Sequence, residues 1–137
     1  MTSTSSNELM ILSWNILHIM HEWNYVGPDS LVIKNYPDEK DRMMKIIDFI
    51  KNIYDKNNAC VINLQEVPGD SLISLRELFG DKVIFNTYDR IPKPRRPEAD
   101  IYINKSESLV SIVKGVDIIS SNFELQLDLI RPKLDDN

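Results

Sequence analysis

An apolar run, a long amphipathic segment and a second apolar run follow one another in the first half of this chain, and their order limits its folds. Residues 9–17 have the alternation of a buried β-strand. Asp38 is a helix-capping residue, and apolar side chains then recur at three- and four-residue spacing as far as Tyr54. Residues 59–64 are almost wholly apolar, as central strands are. This order predicts a crossover connection in an α/β (α+β) fold, with helices flanking a mixed sheet.

Weaker patterns extend the prediction along the rest of the chain. Residues 18–37 show no period, which predicts a long irregular connection. Asp70 or Ser71 is placed to cap a second helix that Gly80 ends. Residues 87–106 contain three prolines and no period, which predicts a surface loop. Further strands are predicted at residues 82–86, 108–114, 116–121 and 123–130, with a turn at Gly115.

Composition predicts one domain with short polar ends. The chain has 137 residues, of which 42% are hydrophobic and 27% charged, as in a soluble globular protein. Residues 1–7 are expected to be a flexible tail, residues 8–131 the domain and residues 132–137 a flexible end. The single cysteine, Cys60, falls inside a strand-like run, which indicates a small core residue rather than a ligand or a nucleophile.

Charge and hydropathy exclude several function classes. No apolar run is long enough to cross a bilayer, and the first residues lack the basic flank and apolar stretch of a signal peptide. We therefore expect an intracellular protein without a membrane span. The net charge of −5 argues against a protein that coats nucleic acid by overall attraction, although a local basic groove remains open to it.

Polar side chains end both apolar runs of the predicted sheet. Asn15 offers a carbonyl oxygen and Glu66 a carboxylate, at the strand ends where open sheets collect ligands. These two groups suit a hard cation such as Mg²⁺, which keeps several waters and takes further oxygens from a phosphate. The alternative interpretation is structural, with Asn15 making a turn and Glu66 capping the next helix.

The amino-acid sequence around these two strand ends resembles that of a known family. The segments Leu12-Ser13-Trp14-Asn15-Ile16-Leu17 and Val61-Ile62-Asn63-Leu64-Gln65-Glu66-Val67 are similar to the first two motifs of the endonuclease/exonuclease/phosphatase superfamily, with the deadenylase and nocturnin-like branch nearest. The resemblance implies a Mg²⁺-dependent phosphodiesterase, for which Mn²⁺ is an alternative metal. In it, Asn15 and Glu66 help to hold the metal and Glu66 is a catalytic residue. Arg42 and the segment 108–114 also resemble that branch, so residues 8–131 correspond to its amino-terminal portion.

Departures from the family pattern qualify this expectation. The family fold is a four-layer α/β sandwich completed by a Gly-Asp-x-Asn segment and a late Ser-Asp-His segment, and this sequence contains neither. We therefore expect a partial sandwich with its second half missing, inactive alone. Its uncovered apolar sheet face predicts aggregation, self-association or a partner that supplies the carboxyl-terminal half.

A proline-rich segment supplies the clearest basic cluster. Arg90, Lys93, Arg95 and Arg96 lie among three prolines, which predicts a stiff extended segment near the proposed site. It is suited to gripping the phosphates of a nucleic acid or another phosphodiester substrate. It also suits a ligand for an aromatic-lined groove, or a solvated loop with neither role. The rival hypothesis for the whole chain is accordingly a non-catalytic module that binds a protein through this loop and the exposed sheet face.

The segment after the first strand contains further candidate residues. His18, His21 and Glu22 lie close together, but zinc sites normally need a third or fourth well-spaced ligand, which argues against a metal site here. Trp23 and Tyr25 are suited to stacking on a base, although aromatic residues more often cover the edge of a core.

Overall fold

The computed structural model describes residues 8–88 and 93–117, which alternate between strands and helices. The strands are β1 (Met10–Asn15), β2 (Cys60–Pro68), β3 (Val83–Thr87) and β4 (Glu107–Lys114). The α-helices are α1 (Ile19–Tyr25), α2 (Leu31–Asn35), α3 (Glu39–Lys56) and α4 (Gly69–Phe79). Short 3₁₀ helices occupy Gly27–Asp29, Gly80–Lys82 and Pro97–Ala99.

The four strands form one mixed sheet in the order β1-β2-β4-β3. β1 and β2 are parallel and are joined through the helices α1 to α3, whereas β4 runs antiparallel to both β2 and β3. The predicted fold class, a mixed sheet flanked by helices, is confirmed. Because the described residues form only this one sheet, the second layer of the four-layer sandwich stays a prediction.

Helix α3 follows directly from its sequence. The Asp38 carboxylate accepts a hydrogen bond from the Asp41 backbone N–H at 3.1 Å, which satisfies one of the free donors of the first turn. Met43, Ile46 and Ile50 recur at helical spacing and are buried against the sheet. The predicted cap and buried face of this helix are confirmed.

The main core lies between the sheet and the helices α3 and α4. Its centre is contributed by both central strands and both helices, with Ile50, Ile62, Leu64, Leu75 and Ile112 at 2% exposure or less. Cys60 is buried in the same cluster, as expected from the apolar run around it.

The opposite face of the sheet is less apolar than the sequence suggested. Ser111 Oγ donates to Asn63 Oδ1 at 2.6 Å, and Gln65 Nε2 donates to Ser13 Oγ at 3.2 Å, so polar groups bond across neighbouring strands on this face. The expectation of a contiguous apolar second face is therefore corrected to a mixed one.

Three of the sequence predictions about individual segments are wrong. The strand predicted at residues 9–17 has largely exposed side chains and is not buried, because among the described residues it has β2 on one side and no neighbour on the other. Residues 18–37 contain α1 and α2 rather than an irregular connection. Helix α4 begins at Gly69, directly after β2, so neither Asp70 nor Ser71 is its cap.

The loop predicted at residues 87–106 is only partly a surface loop. Ala99 and Tyr102 are buried against Ile19, Met20 and Ile33, where they form a second, smaller core beside α1 and α2. Isolated apolar residues in a proline-rich segment show no periodicity, so this packing could not be predicted from the sequence pattern. Of the strand predicted at residues 116–121, the first two residues are not in a strand and the rest lie outside the described residues, as do the strand predicted at 123–130, Arg90 and both predicted tails.

The described helices include none that is both long enough and apolar enough to cross a bilayer.

Candidate metal centre

The two side chains that the sequence singles out, Asn15 and Glu66, are in contact at the end of the parallel strand pair. Asn15 closes β1 and lies opposite Gln65 of β2. Its Nδ2 donates a hydrogen bond to Glu66 Oε2. The structure thus brings the predicted amide and carboxylate together at one edge of the sheet.

Glu66 occupies an irregular part of its strand. The register of β2 against β4 shifts between Leu64 and Val67, so that Gln65 and Glu66 form a β-bulge. Glu66 has a φ of 56°, in the left-handed region that non-glycine residues seldom occupy. Such a conformation costs about 1 kcal/mol or more and re-aims the side chain, and bulges of this kind are frequent beside functional sites.

The backbone beyond Asn15 turns sharply under the control of its side chain. Asn15 Oδ1 accepts a hydrogen bond from the Leu17 N–H at 2.9 Å, and Leu17 has a φ of 66°. The alternative interpretation of Asn15 as a turn residue is therefore correct, and the same side chain also holds Glu66. The matching interpretation of Glu66 as a helix cap is wrong, because the first turn of α4 has no side-chain cap.

Two residues that the sequence did not place here complete the cluster. His21 Nε2 lies 2.7 Å from Glu107 Oε1 and 3.6 Å from Glu66 Oε1. One donor atom from each of the three side chains lies within 4.8 Å of the others. Ligands about 2 Å from one ion lie about 3 to 4 Å apart, so the side chains would have to move closer together by up to about 1 Å to bind a metal.

The charges of this cluster favour a cation. The hydrogen bond to Glu107 raises the pKa of His21 above its ordinary value despite partial burial, and the carboxylate of Glu66 acts in the same direction. Tyr88 lies beside both carboxylates, and burial together with their charge raises its pKa to about 12. Two carboxylates converging on one imidazole thus form a group whose charge and donor atoms are suited to a proton or to a metal cation.

The sequence did not predict the contact between His21 and Glu107, for a physical reason. They are 86 residues apart and meet because the start of β4 pairs with the end of β2, opposite Pro68. Of the group His18, His21 and Glu22, the two histidine rings lie edge-on 5.8 Å apart, whereas Glu22 accepts a hydrogen bond from Ser30 instead.

A buried arginine fixes the turn that carries Asn15 toward α1. Arg42 Nη1 donates to the Ile16 carbonyl at 2.9 Å, and its Nη2 donates to the Leu17 carbonyl at 2.6 Å. Its charge is balanced by Glu39, whose Oε1 lies 2.7 Å from Nη2. Tyr102 donates to the same oxygen at 2.6 Å. One guanidinium therefore joins α3, the turn after β1 and the second core.

The basic segment lies against the carboxyl end of α1. Lys93 and Arg95 are held through their backbones by Asn24, at 2.7 Å each. The Arg96 guanidinium lies against Gly27, where an added Cβ would approach Nη1 to 2.4 Å. The predicted substrate residues Lys93, Arg95 and Arg96 thus lie against the end of α1, the helix that also carries His21, and against the turn that follows it.

His18 is a buried polar residue beside the cluster. Its side chain has no solvent exposure, and its ring packs edge-on against Tyr102 at 4.8 Å. Burial is the main reason, and neighbouring His21 the next, that the pKa of His18 falls to about 4. The imidazole is therefore neutral at pH 7, and its Nδ1 accepts a hydrogen bond from Met20 N.

Replacing Arg42 with Met is expected to destabilise the fold by about 3 kcal/mol, because the change leaves two carbonyls and a largely buried Glu39 without their partner. Urea unfolding would measure the change. Lys45→Met on the same helix is the matched control, since the Lys45 ammonium is exposed and its pair with Asp41 contributes little. Equal unfolding midpoints for the two variants would contradict the role assigned to Arg42.

His18 predicts a specific dependence of stability on acid. A histidine whose folded pKa lies below its unfolded value of 6.5 destabilises the fold as pH falls, because the unfolded chain binds the proton first. Stability is expected to fall by about 3 kcal/mol between pH 6.5 and pH 4 from this group. His18→Phe should remove that part of the slope in urea unfolding at several pH values.

His21→Gln is the control for this slope. Because the pKa of His21 is raised, its stabilisation is fully present below pH 6.5 and is lost only as pH rises through the raised value. The slope between pH 6.5 and pH 4 should therefore be reduced but not removed by His21→Gln, because burial is the larger cause of the lowered pKa of His18 and His21 the second. A His18→Phe variant with an unchanged acid slope would show that His18 is not the responsible group.

Comparison of the chain with protein-family models, with curated proteins and with solved structures finds no match.

Proposed function

We propose that the cluster around Glu66 is a divalent-metal site of phosphodiesterase type, with His21, Glu66 and Glu107 as the protein ligands. The observation that supports it is the convergence of three donor atoms within 4.8 Å from α1, the bulge of β2 and the start of β4. A strained backbone at Glu66 and a hydrogen bond from Asn15 hold the central carboxylate in place. Such strain is characteristic of functional sites.

Asn15 has a positioning role in this proposal. Both ends of its amide are engaged, with Oδ1 on the Leu17 N–H and Nδ2 on Glu66. Glu107 is nearly buried and lies 2.7 Å from His21 Nε2, so before a metal binds it fixes both the charge and the orientation of the imidazole. An outer partner such as Asn15 typically changes metal affinity 10- to 100-fold.

The donor set bears on which metal is bound. Mg²⁺ prefers oxygen ligands and keeps its waters, whereas an imidazole nitrogen suits Mn²⁺ and later transition metals. The expected cofactor is therefore Mg²⁺ or Mn²⁺, with the imidazole of His21 favouring Mn²⁺. A metal bound here would polarise a phosphoryl oxygen and acidify a bound water.

Glu66→Gln is expected to weaken Mn²⁺ binding by at least about tenfold, because it removes the central charge and keeps the shape of the side chain. Isothermal titration with Mn²⁺ and Mg²⁺ would measure this. Glu77→Gln is the matched control, on the exposed face of α4. Unchanged Mn²⁺ affinity in Glu66→Gln would overturn the assignment of the site.

A hydrolysis assay on RNA, DNA and a small phosphodiester tests the catalytic part of the proposal. Since the sequence contains neither the Gly-Asp-x-Asn nor the Ser-Asp-His segment, we expect the chain to bind metal without robust turnover. If the parent chain shows metal-dependent turnover and Glu66→Gln abolishes it, the expected inactivity is wrong and the assignment of the metal site is supported. Turnover that survives Glu66→Gln would exclude Glu66 as a catalytic residue.

A second candidate function is association through the edge of the sheet, which one specific observation favours. Leu9, Met10 and Ile11 are 48%, 41% and 64% exposed at the start of β1, the edge strand that carries no neighbour among the described residues on its other side. An apolar sheet edge is a template for pairing with another chain. We propose self-association, or a partner segment, at this edge.

Light scattering coupled to gel filtration tests this second candidate. Ile11→Lys should shift the parent chain from a larger assembly to a monomer, because an edge lysine blocks strand pairing. Leu31→Lys is the control, since Leu31 is 73% exposed on the helix α2 and not on a strand. A parent chain that is monomeric at all concentrations would exclude self-association.

A further inference from the structure

The basic segment and the exposed end of α1 are joined into one surface, which we call the stacking platform and define by Asn24, Tyr25 and Arg95. The Asn24 side chain donates from Nδ2 to the Lys93 carbonyl and accepts at Oδ1 from the Arg95 N–H, both at 2.7 Å. One amide therefore clamps the backbone of the basic segment at two points, two residues apart. These two hydrogen bonds hold the backbone of Arg95 in place, and with it the base of the Arg95 side chain.

Arg95 uses that position to lie over an aromatic ring. Its guanidinium carbon is 4.7 Å from the centre of the Tyr25 ring, within the range of a cation–π contact. Tyr25 is 68% exposed, whereas Trp23 packs against the second core. Of the two aromatic residues that the sequence suggested for stacking, only Tyr25 is thus available to a ligand.

The charge of this surface is uncompensated within the described residues. None of Lys93, Arg95 and Arg96 forms an ion pair with a carboxylate there, although the chain as a whole carries a net charge of −5. Arginines with exposed side chains and no acidic partner are available for phosphate groups.

The stacking platform is next to the metal centre. His21 and Tyr25 are one helical turn apart on α1, with ring centres 6.4 Å apart and ring planes inclined by 17°. The Tyr25 ring therefore lies between the two groups, 6.4 Å from the His21 ring and 4.7 Å from the Arg95 guanidinium. A flexible phosphodiester chain spans such a distance with one or two units.

We propose that the stacking platform binds single-stranded nucleic acid, with a base stacked on the Arg95 guanidinium that Tyr25 supports and a neighbouring phosphate on Arg96 or Lys93. Guanidinium planes and aromatic rings are the usual stacking surfaces for unpaired bases. A duplex keeps its base faces covered, and a lipid head group has no base, so neither uses the aromatic part of the platform. The inference rests on the proposed function in one respect only, namely that the bound nucleic acid runs from the stacking platform toward Glu66.

The test is fluorescence anisotropy of labelled ten-residue single strands with the full chain in EDTA, so that binding does not depend on the metal site. An abasic strand of equal charge and vesicles containing a phosphoinositide are the comparison ligands. We expect the base-bearing strand to bind about tenfold tighter than the abasic strand, and Tyr25→Ala and Arg95→Ala each to remove most of that difference. Tyr25→Phe should retain it.

Arg76→Ala is the matched control, because Arg76 lies over Phe85 at 4.8 Å in a similar pair on α4 and β3. Unchanged base preference in Tyr25→Ala and Arg95→Ala, equal affinity for the abasic strand, or tighter binding to the vesicles would each overturn the proposal. Glu66→Gln should bind the strand like the parent chain in EDTA. If the parent chain binds no metal but still binds the single-stranded nucleic acid, the proposed function is refuted and the proposed role of the stacking platform is not.

Discussion

The buried guanidinium of Arg42 is the interaction on which the rest of this structure depends. It is the point where α3, the turn after β1 and the second core meet, through the carbonyls of Ile16 and Leu17 and the carboxylate of Glu39. A buried charge is tolerated only with several well-directed partners, and those partners fix its geometry in return. The turn after Asn15, and with it the start of α1, thus takes its position from a residue on a different helix.

The candidate metal centre follows from that constraint. Leu17 and Glu66 both adopt left-handed backbone conformations that their side chains disfavour, and both are held by hydrogen bonds of Asn15. Helix α1 can present His21 to Glu107 only while the turn before it is fixed. A site assembled from α1, β2 and β4 is therefore as rigid as the packing around Arg42, since no single element contains enough of it to form alone.

The second core gives the proline-rich segment a place on the molecule. Ala99 and Tyr102 anchor its far end against α1 and α2, and Asn24 clamps its near end. Arg95 and Arg96 are therefore exposed on a backbone that is held at both ends. This restraint lowers the conformational entropy that binding an anion would cost. The proposed metal site and the proposed stacking platform then share helix α1, with His21 on one turn and Tyr25 on the next.

The sequence by itself determined the elements whose signal is local. Helix α3 and its Asp38 cap, the buried strand β2 and the pairing of Asn15 with Glu66 follow from apolar periodicity and from the parallel connection it implies. Tertiary structure alone decided that His21 meets Glu107, that Ala99 and Tyr102 are buried, and that β1 is an exposed edge. These outcomes depend on strand order and register over tens of residues, for which a single sequence carries no repeating pattern.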